Sequence, residues 1–188
     1  MTFTDLEQAV KTPYFFLYQI ERLFPQEKPA HIHTQISRFW RRGLIDRVKR
    51  GVYLFLPVVM DEFSMGQILR APSYVSLESA LHTTGIIPDV SAAVTSVTPL
   101  LGKTYKTTLG IYNYHHLKKS LYFGFTPQTD TAQCAYNMAE PEKALLDLIY
   151  LKKIKNLDSY RFNWQGVNKT KLTNYARRFP QWVKEVVQ

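Results

Sequence analysis

"ISRFWRRGLIDRVKRGVYLF", residues 36 to 55, carries six cationic side chains and changes its hydrophobic period halfway along. Before Gly43 the spacing is helical. Ile32, Ile36, Phe39 and Trp40 fall on one stripe, because offsets of four, seven and eight return to the same side at 3.6 residues per turn. Thr34, Ser37, Arg38 and Arg41 occupy the opposite face, with Gln35 and Arg42 on a flank. After Gly43 the period becomes two. Leu44, Asp46 and Val48, then Val52 and Leu54, alternate as short strands, and "KRG" at 49 to 51 is a tight turn in which Gly51 permits a positive φ.

Working outward from that stretch, residues 1 to 57 predict three helices followed by a basic hairpin. Thr4 and Glu7 have capping-box spacing, giving a first helix over residues 4 to 11. Thr12-Pro13 is a helix start signal, and "PYFFLYQIERLF" extends a second helix to Pro25. A third helix runs from Ala30 to Arg42 and stops at Gly43, the residue best able to take a left-handed cap. This order predicts an N-terminal winged helix-turn-helix whose tip presents Lys49 and Arg50.

Past Pro57 the texture becomes mixed α and β, so the chain reads as α+β with a second, mixed α/β domain over residues 58 to 188. "DEFSMGQILRAP" reads as a linker with one helical turn, and "YVSLESALHTTGIIP" as a helix from near Ser76 to near Gly85. "AAVTSVTP" is a β-branched run suited to a buried strand. "KTYKTTLGIYNYHHLKKSLYFGFT" alternates around a turn at Gly110, and "QCAYNMA" is another strand. Pro141 opens the helix "EKALLDLIYLKK", and from Asn168 two short helices are split at Pro180.

Charge is concentrated. The chain of 188 residues holds 24 Lys and Arg against 15 Asp and Glu, a net charge of +9. Residues 31 to 50 contain Arg38, Arg41, Arg42, Arg47, Lys49 and Arg50 against Asp46 alone. That local excess predicts an anionic partner, and the helix-plus-hairpin context makes it double-stranded DNA. Thr34, Ser37, Arg38 and Arg41 are expected at the bases or the nearest phosphates, and Arg42, Arg47, Lys49 and Arg50 mainly at phosphates.

Other chemistries find little support in the sequence. With 45% hydrophobic and 14% aromatic residues the chain can bury a core, so disorder is not expected. The single Cys134 excludes an intrachain disulfide, which favours a reducing, cytoplasmic setting. "MTFTDLEQAV" has no signal-peptide pattern, and "GVYLFLPVVM" falls short of the ~20 residues of a membrane helix. His31, His33, His115 and His116 lack metal-ligand spacing and read as structural or solvent-facing, with a phosphate contact the lesser alternative for His33. Glu78, Glu140, Glu142 and Asp147 form no D/E-x-K triplet, and phosphate loops and G-x-S-x-G elbows are absent. Glu78 reads as a surface acid and Glu142 as a helix-start acid. No catalytic residue, cofactor or metal is therefore expected. The alternatives are a nuclease-like second domain whose acids converge only in space, or a protein-interaction adaptor. The aromatics of "YNYHHLKKSLYFGF" are expected in the core of a sheet, ahead of a role in stacking bases.

"TPYFFLYQIERLFPQEKPAHIHTQISRFWRRGLIDRVKRGVYLF", followed by "YVSLESALHTTGIIP", "AVTSVTP", "TTLGIYNYHHLKKSLYFGF" and "AEPEKALLDLIYLKK", resembles the AbiEi-type antitoxins and transcriptional regulators of abortive-infection, type IV toxin-antitoxin systems. The similarity extends to about Lys155, and "SLESAL" and "PEKALLDL" in that order are its more specific part. The resemblance implies a winged helix domain that binds promoter repeats and represses its own operon, with room for a homodimer on DNA. It also implies a second domain that counteracts a nucleotidyltransferase toxin, and no enzyme activity.

Overall fold

In a computed structural model, which describes residues 1–157 and 160–187, the chain divides into two units. The first comprises Met1–Asp61 and Asp130–Cys134, the second Glu62–Thr129 and the residues from Ala135 on. Both are built of helices and strands, and each has its own sheet.

The first unit begins with α1 (Phe3–Ala9), two residues earlier than its predicted box. Thr2 provides the cap. Its hydroxyl accepts from the Asp5 amide at 3.2 Å, and the Asp5 carboxylate accepts from the Thr2 amide at 2.7 Å. This register turns Leu6 fully inward and lets Phe3 meet Phe39 edge-on at 5.3 Å.

The helix predicted from Pro13 to Pro25 is instead β1 (Tyr14–Phe16) followed by α2 (Leu17–Leu23). Three consecutive aromatics suit a pleated surface. Tyr14, Phe15 and Phe16 pair antiparallel with Leu54, Tyr53 and Val52, and Phe15 stacks on Tyr53 at 5.4 Å. The side-chain oxygen of Gln19 then accepts from the Phe16 amide at 3.0 Å, which sets the start of α2 at Leu17.

α3 (Pro29–Arg41) has Pro at its first position, where a missing amide costs nothing, and ends before Gly43 at φ +67°. Leu44 donates back to Phe39 at 3.0 Å and closes the end. Ile32, Ile36 and Phe39 are buried as predicted, but Trp40 is 47% exposed. At ~100° per residue Trp40 lies about 80° around from Ile32, at the edge of the apolar stripe.

β2 (Ile45–Lys49) and β3 (Val52–Phe55) complete an antiparallel sheet in the order β1-β3-β2. Ile45 and Val48 are buried, not the alternating set Leu44, Asp46 and Val48, because the register shifts between Arg47 and Lys49. Such a bulge inserts a residue and breaks the period of two. The unit's core is Leu6, Phe15, Ile20, Ile32, Ile36, Phe39, Ile45 and Tyr53.

The second unit opens with α4 (Glu62–Leu69), a two-turn helix where the sequence reads as a linker with one helical turn. Met65 and Leu69 are fully buried and Gly66 packs against Tyr112, so one side of this helix faces inward without a clean amphipathic stripe. Next come β4 (Tyr74–Val75) and α5 (Leu77–Thr83), the latter ending near Gly85 at φ +71° as predicted. The remaining strands are β5 (Val94–Thr98), β6 (Lys103–Thr107), β7 (Gly110–His116), β8 (Phe125–Thr129) and β9 (Ala135–Ala139).

They form one sheet in the order β6-β7-β5-β4-β9-β8, with β5·β7 and β4·β9 parallel and the other pairs antiparallel. β5 is buried along its whole length, as a β-branched central strand should be. α6 (Pro141–Lys152) packs against α5, α7 (Lys169–Ala176) and α8 (Gln181–Val186). Asn168 caps α7 by accepting from the Lys171 amide at 3.0 Å. Tyr112 and Tyr114 are in the sheet's core, as expected for that aromatic run. Among the described residues no helix is long and apolar enough to cross a membrane.

Candidate nucleic-acid interface

α3 is held by its buried stripe against the first unit's core, which leaves its other side open. Thr34, Ser37, Arg38 and Arg41 are exposed along that side, and Arg42, the C-cap residue, is exposed at its end. The Thr34 hydroxyl donates to the Ala30 carbonyl at 2.9 Å, so its oxygen is still able to accept. This backbone bond also fixes its orientation on the helix.

α3 packs on β2, which runs directly into the hairpin. Arg47 is exposed opposite Tyr53, Lys49 is half-buried, and Arg50 is exposed at the turn beside Gly51 at φ +79°. All eight residues predicted to contact DNA therefore belong to α3, its cap and the hairpin, within one unit.

The acids nearby do not neutralise the arginines. Among the described residues Arg38, Arg41, Arg42, Arg47 and Arg50 have no carboxylate partner. Asp46 instead accepts from the Arg47 backbone amide at 2.8 Å. Glu27 takes His31, and Glu21 takes His33 at 2.7 Å, which ties α2 to α3. His33 is thus engaged in a structural contact, the reading the sequence favours for it over a phosphate contact. Exposed guanidiniums with no internal partner are available to an external anion, and their planar forks match phosphate oxygens and the guanine edge.

Trp40 borders this face and was assigned to the core from the sequence. Its exposure makes it a neighbour of the cationic surface, and the width of the apolar stripe is the signal that identifies it.

The second unit holds another polar cluster that the sequence did not reveal. Lys143 and Asp147 are fully buried and ion-paired one helical turn apart on α6. Lys143 donates to the Tyr74 hydroxyl at 2.8 Å, and Asp147 accepts from Tyr74 at 2.8 Å and Ser76 at 2.9 Å. Burial pushes the Lys143 ammonium below its usual range, against the pull of Asp147, and pushes the Asp147 carboxyl up. The only sequence trace of the pair is its i, i+4 spacing, which is ordinary for exposed helix residues.

Glu142, read as a helix-start acid, is also buried and accepts from the Asn168 amide at 2.7 Å. Glu78 pairs with Lys152. Among the described residues no three His, Cys, Asp or Glu side chains converge to hold a metal ion. No family model matches this chain, and no curated protein matches it either.

Proposed function

We propose that this chain is a DNA-binding transcriptional regulator whose first unit acts as a winged helix-turn-helix, with α3 as the recognition helix and the β2–β3 hairpin as the wing. A single observation carries the reading: exposed arginines without a carboxylate partner among the described residues, on a helix face and the adjoining hairpin, backed by a packed core. A helix of ~10–12 Å diameter fits the major groove, and a cationic hairpin beside it reaches the flanking backbone.

In this reading Thr34, Ser37, Arg38 and Arg41 contact bases and adjacent phosphates, while Arg42, Arg47, Lys49 and Arg50 grip the backbone. Promoter repeats would be bound by two copies. The second unit acts as the antitoxin part, countering a nucleotidyltransferase encoded next door, and the chain catalyses no reaction. This last step rests on the resemblance of the "SLESAL" and "PEKALLDL" segments. A regulator acting on promoter DNA in this way would be cytoplasmic.

Fluorescence anisotropy with a promoter duplex over a salt series tests the DNA reading. Log affinity is expected to fall linearly with log salt, by about 0.9 per phosphate contacted. Arg38→Ala with Arg41→Ala should weaken binding by about tenfold or more. A salt-independent signal, or unchanged affinity in the double variant, would refute the assignment. Co-expression with the neighbouring gene tests the antitoxin step: a nucleotidyltransferase that arrests growth should be relieved by this chain.

A further inference from the structure

The second unit contains a cleft of about 600 Å³ lined by His116, Tyr150, Leu151, Lys153, Lys155 and Trp182. Its wall is aromatic. Tyr150 and Trp182 lie nearly parallel, 18° apart with ring centroids at 6.1 Å, and both are half-buried. Its rim is cationic. Lys153 and Lys155 are exposed and have no carboxylate partner among the described residues, whereas the preceding Lys152 is paired with Glu78. Among the described residues no acid lines the cleft.

His116 faces the same space with a defined hydrogen-bonding state. Its Nδ1 lies 2.9 Å from the Leu100 carbonyl, an acceptor only, so Nδ1 must carry the proton and donate. Nε2 is left to accept from a ligand.

Lysines after a helix commonly complement its dipole, and Lys153 and Lys155 follow the end of α6. That role calls for neither a cleft nor an aromatic wall. Flat π-surface beside two free ammonium groups instead matches a ligand that is planar at one end and anionic at the other. The volume falls within the ~300–1,000 Å³ of small-molecule sites.

We propose that this cleft binds a nucleotide, its base against the Tyr150–Trp182 wall and its phosphates at Lys153 and Lys155. The chemistry is shared by a free mononucleotide and by an unpaired nucleotide at the end of a nucleic-acid strand. The inference is independent of the DNA-binding reading, because every lining residue belongs to the second unit.

Isothermal titration of the full-length protein with ATP, an oligothymidylate and inorganic phosphate tests it, all in the Arg38→Ala, Arg41→Ala background to reduce the first unit's contribution, the lysine substitutions assigning what remains to the cleft. Saturable binding of ATP or the oligothymidylate is expected, with inorganic phosphate at least about tenfold weaker. ATP binding identifies the free nucleotide as ligand, and binding of the oligothymidylate alone identifies the strand end. Adding Lys153→Gln and Lys155→Gln, which retains the aromatic wall, should weaken binding about tenfold or more. Trp182→Leu should also weaken binding, in protein whose unchanged circular dichroism shows it folded. Absence of saturable binding by both nucleotide probes, phosphate binding as tightly as ATP, or affinity unmoved by the lysine substitutions would overturn the proposal.

Discussion

Gly51 holds the hairpin tip at φ +79°, with nothing within 4 Å of where a Cβ would stand. Substitution there meets no steric obstacle from neighbours, so any cost comes from the backbone alone. Gly51→Val should lower stability by about 1–2 kcal/mol in urea unfolding, and Gly51→Asn by less, because Asn tolerates the left-handed region. Equal losses for both would mean that the tip's conformation is not the cause. His115 raises a different question at the same scale. Burial holds its imidazole below the ordinary 6.5, outweighing the upward pull of Glu78. Since the unfolded chain takes up the proton first as pH falls through 6.5, stability should decline on acidification from that value toward the lower folded one. His115→Gln should remove this part of the pH dependence, as checked by urea midpoints at about pH 7.5 and pH 5.

At the scale of elements, the proposed regulator would divide recognition from grip between α3 and the hairpin. An arginine that touches only phosphate contributes equally on any sequence, so Arg50→Ala should weaken all duplexes alike and reduce the salt slope by about 0.9. Arg38→Ala on the helix face should instead narrow the gap between promoter and unrelated DNA, by about 1–3 kcal/mol for a bidentate base contact. Competition anisotropy with both duplexes separates the two outcomes. The same elements show what the sequence can disclose. Pro29, Gly43 and the stripe of Ile32, Ile36 and Phe39 mark α3 locally, so the helix and its exposed arginines were legible within a few residues. β1 was not, because Pro13 signals a helix start while the pairing of Phe15 with Tyr53 lies far along the chain. α4 was hidden for another reason. Ser64, Met65, Gly66 and Leu69 are all buried, and with a serine and a glycine among its inward residues the helix has no clean apolar stripe to betray its period. The aromatic cleft shares the limitation of β1: His116, Tyr150 and Trp182 come from separate elements that only folding brings together.

Over the whole molecule, exposed and buried charge follow opposite rules. Among the described residues, the first unit leaves Arg38, Arg41, Arg42, Arg47 and Arg50 without a carboxylate partner and in water, where an anionic ligand can reach them. The second unit seals Lys143 and Asp147 inside its core, with Tyr74 and Ser76 completing their hydrogen bonds. Desolvating two charges is costly, and the pair persists because each neutralises the other and every oxygen has a donor. Removing one partner should therefore hurt far more than removing both charges. Lys143→Met leaves Asp147 buried and uncompensated, and is expected to cost about 3–5 kcal/mol in chemical denaturation at neutral pH. Burial already pushes that carboxyl up, so in the single variant its folded value lies above the unfolded one. The neutral acid is then favoured by folding, and the loss should shrink as pH is lowered. Lys143→Met combined with Asp147→Asn leaves no charge in the core and retains an acceptor for Tyr74 and Ser76, so it should regain much of the deficit. A double variant as unstable as the single one would mean that Lys143 contributes chiefly through its packing against Phe123 and Phe179, whose ring centroids lie 5.2 and 5.3 Å from its ammonium, and not by neutralising Asp147.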